Sequence, residues 1–310
     1  MNQYVAELGW TDEQWGRVCR AVSEEAQRTR VAAKFLPVYG PVDASEVAVA
    51  RLRFKEINDP LAGSGGPKKR LSVDSDPTTE LSRISCLVHL KSHEAADPEL
   101  QAALTMFRRA ASIIARTEDA LMFNGIDKGK SATPPLAPSS GVLKISGANE
   151  ARGLLPETIA LAKTVGVSVT VDSPVGNRSS VADAGTALVS RVVRAIDKLD
   201  DEGYSPPYAC VLARDLYQAV HSPTPNLVLP RHTILPILEG GPLLGSGRIK
   251  QGWGVIVAYE SHQVEQVLAS DISVKFLQVS QEPRFVFRVS ERVALRIRDR
   301  KAFAVLHPEG

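Results

Sequence analysis

Cysteine is scarce in this 310-residue chain, and the three present, Cys19, Cys86 and Cys210, are far apart and odd in number. That pattern excludes a disulfide framework and fits reduced thiols in a cytosol, packed as small buried hydrophobes. Charge of one sign is equally scarce. The 37 basic and 35 acidic residues leave a net +2, which gives no reason to expect a nucleic-acid partner. No apolar run approaches the ~20 residues that span a bilayer, so no membrane partner is expected. The start, Met1-Asn-Gln-Tyr-Val-Ala-Glu-Leu-Gly-Trp10, has no basic segment followed by an apolar one, and does not read as a signal peptide. The apolar share of 44% excludes a disordered chain.

Motifs that carry chemistry are missing as well. Gly125-Ile-Asp-Lys-Gly-Lys-Ser131 is one residue short of a phosphate-binding loop, and Thr133-Pro-Pro cannot open the helix such a loop needs. Gly245-Ser-Gly247 lacks the third glycine of a dinucleotide fingerprint, because that offset falls on Lys250. No Gly-x-Ser-x-Gly elbow occurs. His89 and His93 flank a strand end with no acidic residue between them, so they read as a surface pair and no metal site is expected. Glu118 and Asp119 are adjacent on a helix and point roughly 100° apart, which suits a structural ion pair better than two catalytic carboxylates. Asn177-Arg-Ser179 matches a glycosylation acceptor, which means nothing without a secretory leader. No cofactor is implied by any of these segments.

What the chain does have is order in its elements. Thr11 and Gln14 form a capping box for a helix over Asp12 to Arg30, with Trp15, Val18, Cys19, Val22 and Ala26 as its apolar stripe. Val31 to Tyr39 is a short apolar stretch closed by Gly40-Pro41. Val47 to Phe54 and Leu81 to Leu90 alternate as strands on either side of a polar tip centred on 63–70. Two strands with a long tip make an arm that buries little of its own surface and needs another subunit to lie on. Asp97 and Pro98 open a long helix that runs to Asn124 and stops at Gly125. Residues 126–150 read as an irregular surface insertion. A strand at Val167 to Val171 precedes a helix capped by Ser180, with Asp183 at its third position. Tyr208 to Leu212 is a buried strand, Arg214 to Val220 a short helix, and Arg231 to Glu239 a helix interrupted by Pro236. From Leu243 onward the chain predicts strands only. The fold class is α+β.

In this order the segments resemble the shell protein of family 1 encapsulins, the linocin-type bacteriocin family, which is related to the major capsid proteins of tailed bacteriophages. Four stretches carry the resemblance. They are Thr11-Asp-Glu-Gln-Trp15 leading into Lys34-Phe-Leu-Pro-Val-Tyr-Gly-Pro41, Ala115-Arg-Thr-Glu-Asp-Ala-Leu-Met-Phe-Asn-Gly125, Pro207-Tyr-Ala-Cys-Val-Leu-Ala-Arg-Asp-Leu-Tyr217, and Ser270-Asp-Ile-Ser-Val274 with Glu282-Pro-Arg-Phe-Val-Phe-Arg-Val289. The resemblance implies the tailed-phage capsid fold. Residues 1–43 would begin a peripheral domain, 44–90 form the extended arm and 91–125 the spine helix. Residues 126–265 would form an axial domain with the insertion at 126–150, and 266–310 the C-terminal sheet of the peripheral domain. Two departures stand out: the 126–150 segment is longer than the family pattern suggests, and Pro206-Pro207 replaces a Gly-Pro.

The resemblance also implies a function: a self-assembling icosahedral shell in the bacterial cytoplasm, with no catalysis of its own. It would enclose a guest enzyme, peroxidase, ferritin-like or other, through the guest's C-terminal targeting peptide. Matched motif by motif, the peptide would meet Trp15, Val18 and Val22 on the first helix, Phe35, Leu36 and Val38 after it, and Asp271, Ile272, Ser273 and Val274 in the sheet. Ordinary core packing is an equal reading for Val18 and Val22. The loop His221, Ser222, Pro223, Thr224, Pro225 and Asn226 matches the position of a pore loop, and a plain surface loop is its alternative. No tryptophan lies between Arg51 and Asp97, so the flavin that some relatives hold near the arm is not expected. A phage or prophage capsid protein, which would face packaged DNA despite the weak charge bias, is the runner-up. A soluble α/β enzyme is the remaining alternative.

Overall fold

A computed structural model describes residues 8–43, 45–58, 69–75, 77–129, 131, 133–139, 141–156, 167–171, 181–224, 227–280 and 284–308. Most of the expected arm tip, the Ser180 cap, the Asp183 side chain, Pro225, Asn226, Glu282 and Pro283 lie outside them.

The first helix, α1, spans Asp12–Thr29. Its capping box forms as expected: the Gln14 amide donates to Thr11 Oγ1 at 3.2 Å, and the Thr11 amide donates to Gln14 Oε1 at 3.0 Å. A 3₁₀ turn at Ala32–Lys34 turns the chain into the two-residue strand β1, Val38–Tyr39. The predicted single strand Val47 to Phe54 is two strands, β2 at Ala48–Ala50 and β3 at Arg53–Asn58. It breaks at Leu52, whose φ of 52 is left-handed and incompatible with an extended ladder. β4, Lys69–Asp74, pairs antiparallel with β3, and β5, Thr78–Glu80, pairs with β2. β6 is the ten-residue strand Ser82–Lys91.

The spine helix, α2, covers Gln101–Asn124 and is roughly 36 Å long at ~1.5 Å per residue. It starts three residues later than the sequence suggested. Asp97 caps a turn, accepting from the Glu99 and Gln101 amides at 3.0 and 2.9 Å, and Leu100 is left-handed at φ 51. Gly125 ends the helix at φ 70, where a side chain would collide with the backbone of Ala151 and Gly153.

Three short strands follow: β7 at Ile126–Asp127, β8 at Leu143–Gly147 and β9 at Glu150–Ala151. β8 corrects the reading of 126–150 as an irregular insertion in the axial domain, because it pairs with β6 from Ser82↔Gly147 to Cys86↔Leu143. Beyond it come β10 at Val167–Val171, α3 at Val181–Asp201, β11 at Tyr208–Ala213, α4 at Arg214–Val220 and α5 at Pro230–Ile237. The last strands are β12 at Leu243–Ser246, β13 at Gly254–Ala258, β14 at Val264–Val279, β15 at Arg284–Ile297 and β16 at Phe303–Pro308.

Two five-stranded sheets organise these elements. One runs β1-β14-β15-β6-β8 and the other β10-β16-β13-β11-β12. The second membership departs from the expected grouping of 266–310, since β16 joins β10 and β13 instead of staying with β14 and β15. Burial explains this placement: Phe303, Ala304, Val305 and Leu306 are all buried, which suits a strand covered on both faces and not one with a wet side. β11 in the same sheet is apolar on both faces. Ala209 and Val211 join the core beneath the spine helix, while Cys210 and Leu212 pack with Leu188 and Val192 of α3.

The core beside the first sheet is held by aromatic packing. Trp10 stacks on Phe287 at 5.2 Å, Phe107 meets Phe287 edge-on at 5.2 Å, and Trp10 Nε1 donates to the Ala95 carbonyl at 2.7 Å. Full burial of a side chain such as Phe107 or Phe287 is worth about 1.5–3 kcal/mol relative to exposure. Cys86 and Cys210 are buried as expected, and burial pushes the Cys210 thiol up to about 12. Cys19 corrects the sequence reading: it lies exposed on the outer side of α1.

Candidate functional site

The residues expected to meet a guest peptide fall into two groups. Val18, Val22, Phe35 and Leu36 have 0–2% exposure and form core. They dock α1 and the following turn against the sheet and the spine helix, so their side chains are not accessible to a peptide. Trp15, Val38, Asp271, Ile272, Ser273 and Val274 remain at least partly accessible. Trp15 is half-buried against Trp10 at 5.2 Å and Phe287 at 6.1 Å. Its buried Nε1 has no hydrogen-bond partner among the described residues.

The backbone adds what the residue types did not reveal. β1 covers the outer edge of β14 only at Gln266 and Val267, and the Val42 amide extends this to the Leu268 carbonyl at 2.9 Å. From Ser270 to Val279, no described strand pairs with that edge, while the opposite edge is paired to β15. Asp271 and Ser273 are exposed and Ile272 and Val274 half-buried, the alternation of a strand with one face on the core. An open edge beside an apolar wall is a template for an extended chain.

Beneath this edge lies a buried charge network. Arg30, the residue that ends α1, donates from Nε to Glu118 Oε2 at 2.6 Å and from Nη2 to Glu291 Oε1 at 2.6 Å and Asp271 Oδ1 at 2.7 Å. Gln266 Nε2 donates to the other oxygen of Glu118. Asp119 accepts from the Val31 amide at 2.9 Å and the Ala32 amide at 2.8 Å, holding the turn after α1. The expected ion pair is therefore made by Glu118, and Asp119 caps backbone instead. Glu118 and Glu291 side chains are fully buried, against one guanidinium. Two buried carboxylates cannot both stay charged beside one cation without a large cost. Burial, reinforced by Glu118, pushes Glu291 well above the usual carboxylate range and so favours its neutral form. Burial also raises Glu118, opposed by Arg30 and Gln266. Burial would lower Arg30, but Glu291, Glu118 and Asp271 more than offset it.

This network joins α1, α2, β14 and β15, and the sequence reading missed most of it. The Glu118-Asp119 pair within an otherwise apolar stretch was a visible signal. Arg30 and Glu291, 261 positions apart, carried none.

The loop from His221 joins α4 to α5. His221 Nδ1 lies 2.9 Å from the Tyr217 carbonyl, with the two rings 4.3 Å apart. Ser222 Oγ donates to the Gln218 carbonyl, and Thr224 Oγ1 to that of Val228, each at 2.9 Å. Pro223 is exposed. Among the described residues no group of three His, Cys, Asp or Glu side chains is placed to hold a metal, and no helix is long and apolar enough to cross a membrane.

The spine helix, the separate two-stranded arm and the two sheets define a capsid-type α+β protein. The chain superposes on a virus-like particle subunit from Pyrococcus furiosus with a TM-score of 0.65 at 13% identity, covering 95% of this chain and 100% of that one. It superposes on the capsid protein of Myoviridae phage XM1 with a TM-score of 0.60 at 11% identity, covering 89% and 90%. The expected fold is thus the observed one. Two overlapping stretches, residues 6–175 and 163–294, match the family described as encapsulating protein for peroxidase, and the chain belongs to that family. A curated relative, the type 1 encapsulin shell protein of Myxococcus xanthus, is 26% identical over 311 residues, covering 98% of this chain and 96% of that one.

Proposed function

We propose that this chain is the shell subunit of a closed encapsulin compartment in the bacterial cytoplasm, and that its guest is an enzyme held by an extended C-terminal peptide. The arm carries the assembly half of this reading. β3 and β4 pair only with each other among the described strands, and Phe54, Leu71 and Val73 are 48%, 81% and 54% exposed. A two-stranded ribbon is marginal alone, so these side chains need a second copy to cover them. Membership in a family of encapsulating proteins for peroxidase supports both the shell and a peroxidase-type guest.

The guest peptide adds a strand to the open edge between Ser270 and Val279. Its apolar side chains rest on Ile272, Val274 and Val38, with Trp15 at the wall. Val18, Val22, Phe35 and Leu36 hold that wall in place from inside. The loop beginning at His221 lines an aperture where axial domains meet. Co-expression of the full chain with a peroxidase, with and without the peroxidase's C-terminal extension, tests the docking. The intact peroxidase should co-purify with the particle and the truncated one should not. Ile272→Arg should reduce loading at unchanged particle size. Equal loading in all three cases would refute the groove assignment.

A further inference from the structure

Where the arm leaves the body of the protein, arginines gather. Arg51 and Arg53 flank the break between β2 and β3, Arg152 follows β9, and Arg300 follows β15, and all four line one notch. Arg51 Nε donates to Thr79 Oγ1 at 2.8 Å, and among the described residues no hydrogen bond takes the outer nitrogens of its fork. Arg53 and Arg152 form no ion pair among the described residues. Burial, and then the repulsion of Arg53, Arg152 and Arg300, holds Arg51 below the ordinary arginine value, with Glu150 pulling the other way. Arg300 is lowered by burial, Arg152 and Arg53. The like charge of Arg51, Arg53 and Arg152 around one notch favours an anion there.

The notch opens into a cavity of about 700 Å³, and Arg152, Ile297 and Arg300 line both. The cavity lies under the C-terminal end of α2, where Gly125 and Gly153 let the chain close tightly on itself and fix Arg152 beside the spine. Its volume falls within the ~300–1,000 Å³ typical of small-molecule sites. Across notch and cavity the cations are Arg51, Arg53, Arg152, Arg300 and Lys250. The carboxylates are Asp127 and Glu150, so the balance is five against two, or +3. Asp127 is already engaged by the Gly129 amide at 2.9 Å. The planar forks of several arginines match phosphate oxygens better than a single carboxylate.

We propose that this notch and cavity bind a small organic phosphate, its phosphoryl groups on Arg51, Arg53, Arg152 and Arg300 and its uncharged body in the cavity beneath the spine helix. Such a ligand would tie the base of the arm to the body of the same subunit. A polymer is not expected, because the basic residues converge on one small notch and the chain as a whole carries only +2.

Calorimetric titration of the full-length protein with ADP, pyrophosphate and adenosine tests this. ADP should bind saturably at one per chain and pyrophosphate more weakly. Adenosine should bind at least tenfold more weakly than ADP. The Arg152→Ala/Arg300→Ala variant should lose at least tenfold in ADP affinity at unchanged particle size, and Arg300→Lys, which keeps the charge and removes the fork, should fall between. ADP binding that is absent, unchanged in the double variant, or matched by adenosine would overturn the proposal. So would a double variant that breaks into smaller species while the wild type binds neither phosphate, since the arginines would then be meeting acidic side chains of a second copy.

Discussion

Replacing Arg30 with Met removes the one cation from the network beneath the open edge of β14. The magnitude follows from what each partner loses. The Asp271 leg is worth little, because that side chain is 59% exposed and water can replace the arginine. The Glu118 leg is different: both groups are buried, and removing one partner of a buried pair typically costs 3–5 kcal/mol. The upward shift of Glu291 favours its neutral form, which adds no second stranded charge, and Gln266 still donates to Glu118. The expected loss is therefore near the lower bound, about 3 kcal/mol, or ~6 °C in Tm for a chain of this size. Denaturant unfolding at matched particle concentration would read it, with hydrogen exchange of α1 amides as a local probe. Glu291→Gln provides the decisive contrast. Its amide mimics the protonated acid and keeps an acceptor for Arg30, so the change should stay within about 1 kcal/mol of wild type. If Glu291→Gln costs as much as Arg30→Met, Glu291 is ionised in the folded protein and the charge assignment is wrong.

Asp119 makes a pH-dependent contribution whose sign is set by burial, which pushes it up to about 7 from the ordinary aspartate value of 3.8. Between those values the folded state holds a proton that the unfolded state has released. Stability should therefore be highest at the acid end and fall as pH rises through 7, by at most ~1.4 kcal/mol per pH unit. The difference between wild type and Asp119→Asn, measured from pH 5.5 to 8, should show that slope; parallel curves would contradict it. On the arm, Leu71→Asp with Val73→Asp places charge on side chains already exposed in the single chain. The subunit should stay folded by circular dichroism while assembly fails, and normal particles from this variant would show that the ribbon is not an intersubunit contact.

Local chemistry was legible in the sequence where it acts locally. The capping box of Thr11 and Gln14 forms as read, and so does the stop at Gly125. The long strands were harder. β14 pairs with β15 through register shifts at 268/270, 270/273 and 276/278, which interrupt the period-two pattern in the sequence while the backbone continues. β16 was assigned to its sequence neighbours, although its unbroken apolar run already suited a strand buried on both faces. The candidate site divided along the same line. Motif matching proposed ten residues for it, and the structure divides them: Val18, Val22, Phe35 and Leu36 are core, while the β14 edge beyond Ser270 has no described partner on that side. Nor could spacing reveal that Arg30 reaches partners 88 and 261 positions away.

A closed shell requires this chain to enclose space by assembling with itself. Multi-angle light scattering of the purified full-length protein, with negative-stain microscopy of the same fraction, tests it most directly. A closed shell predicts a monodisperse megadalton particle with a hollow, uniform outline. A stable monomer at the mass of one 310-residue chain would contradict it.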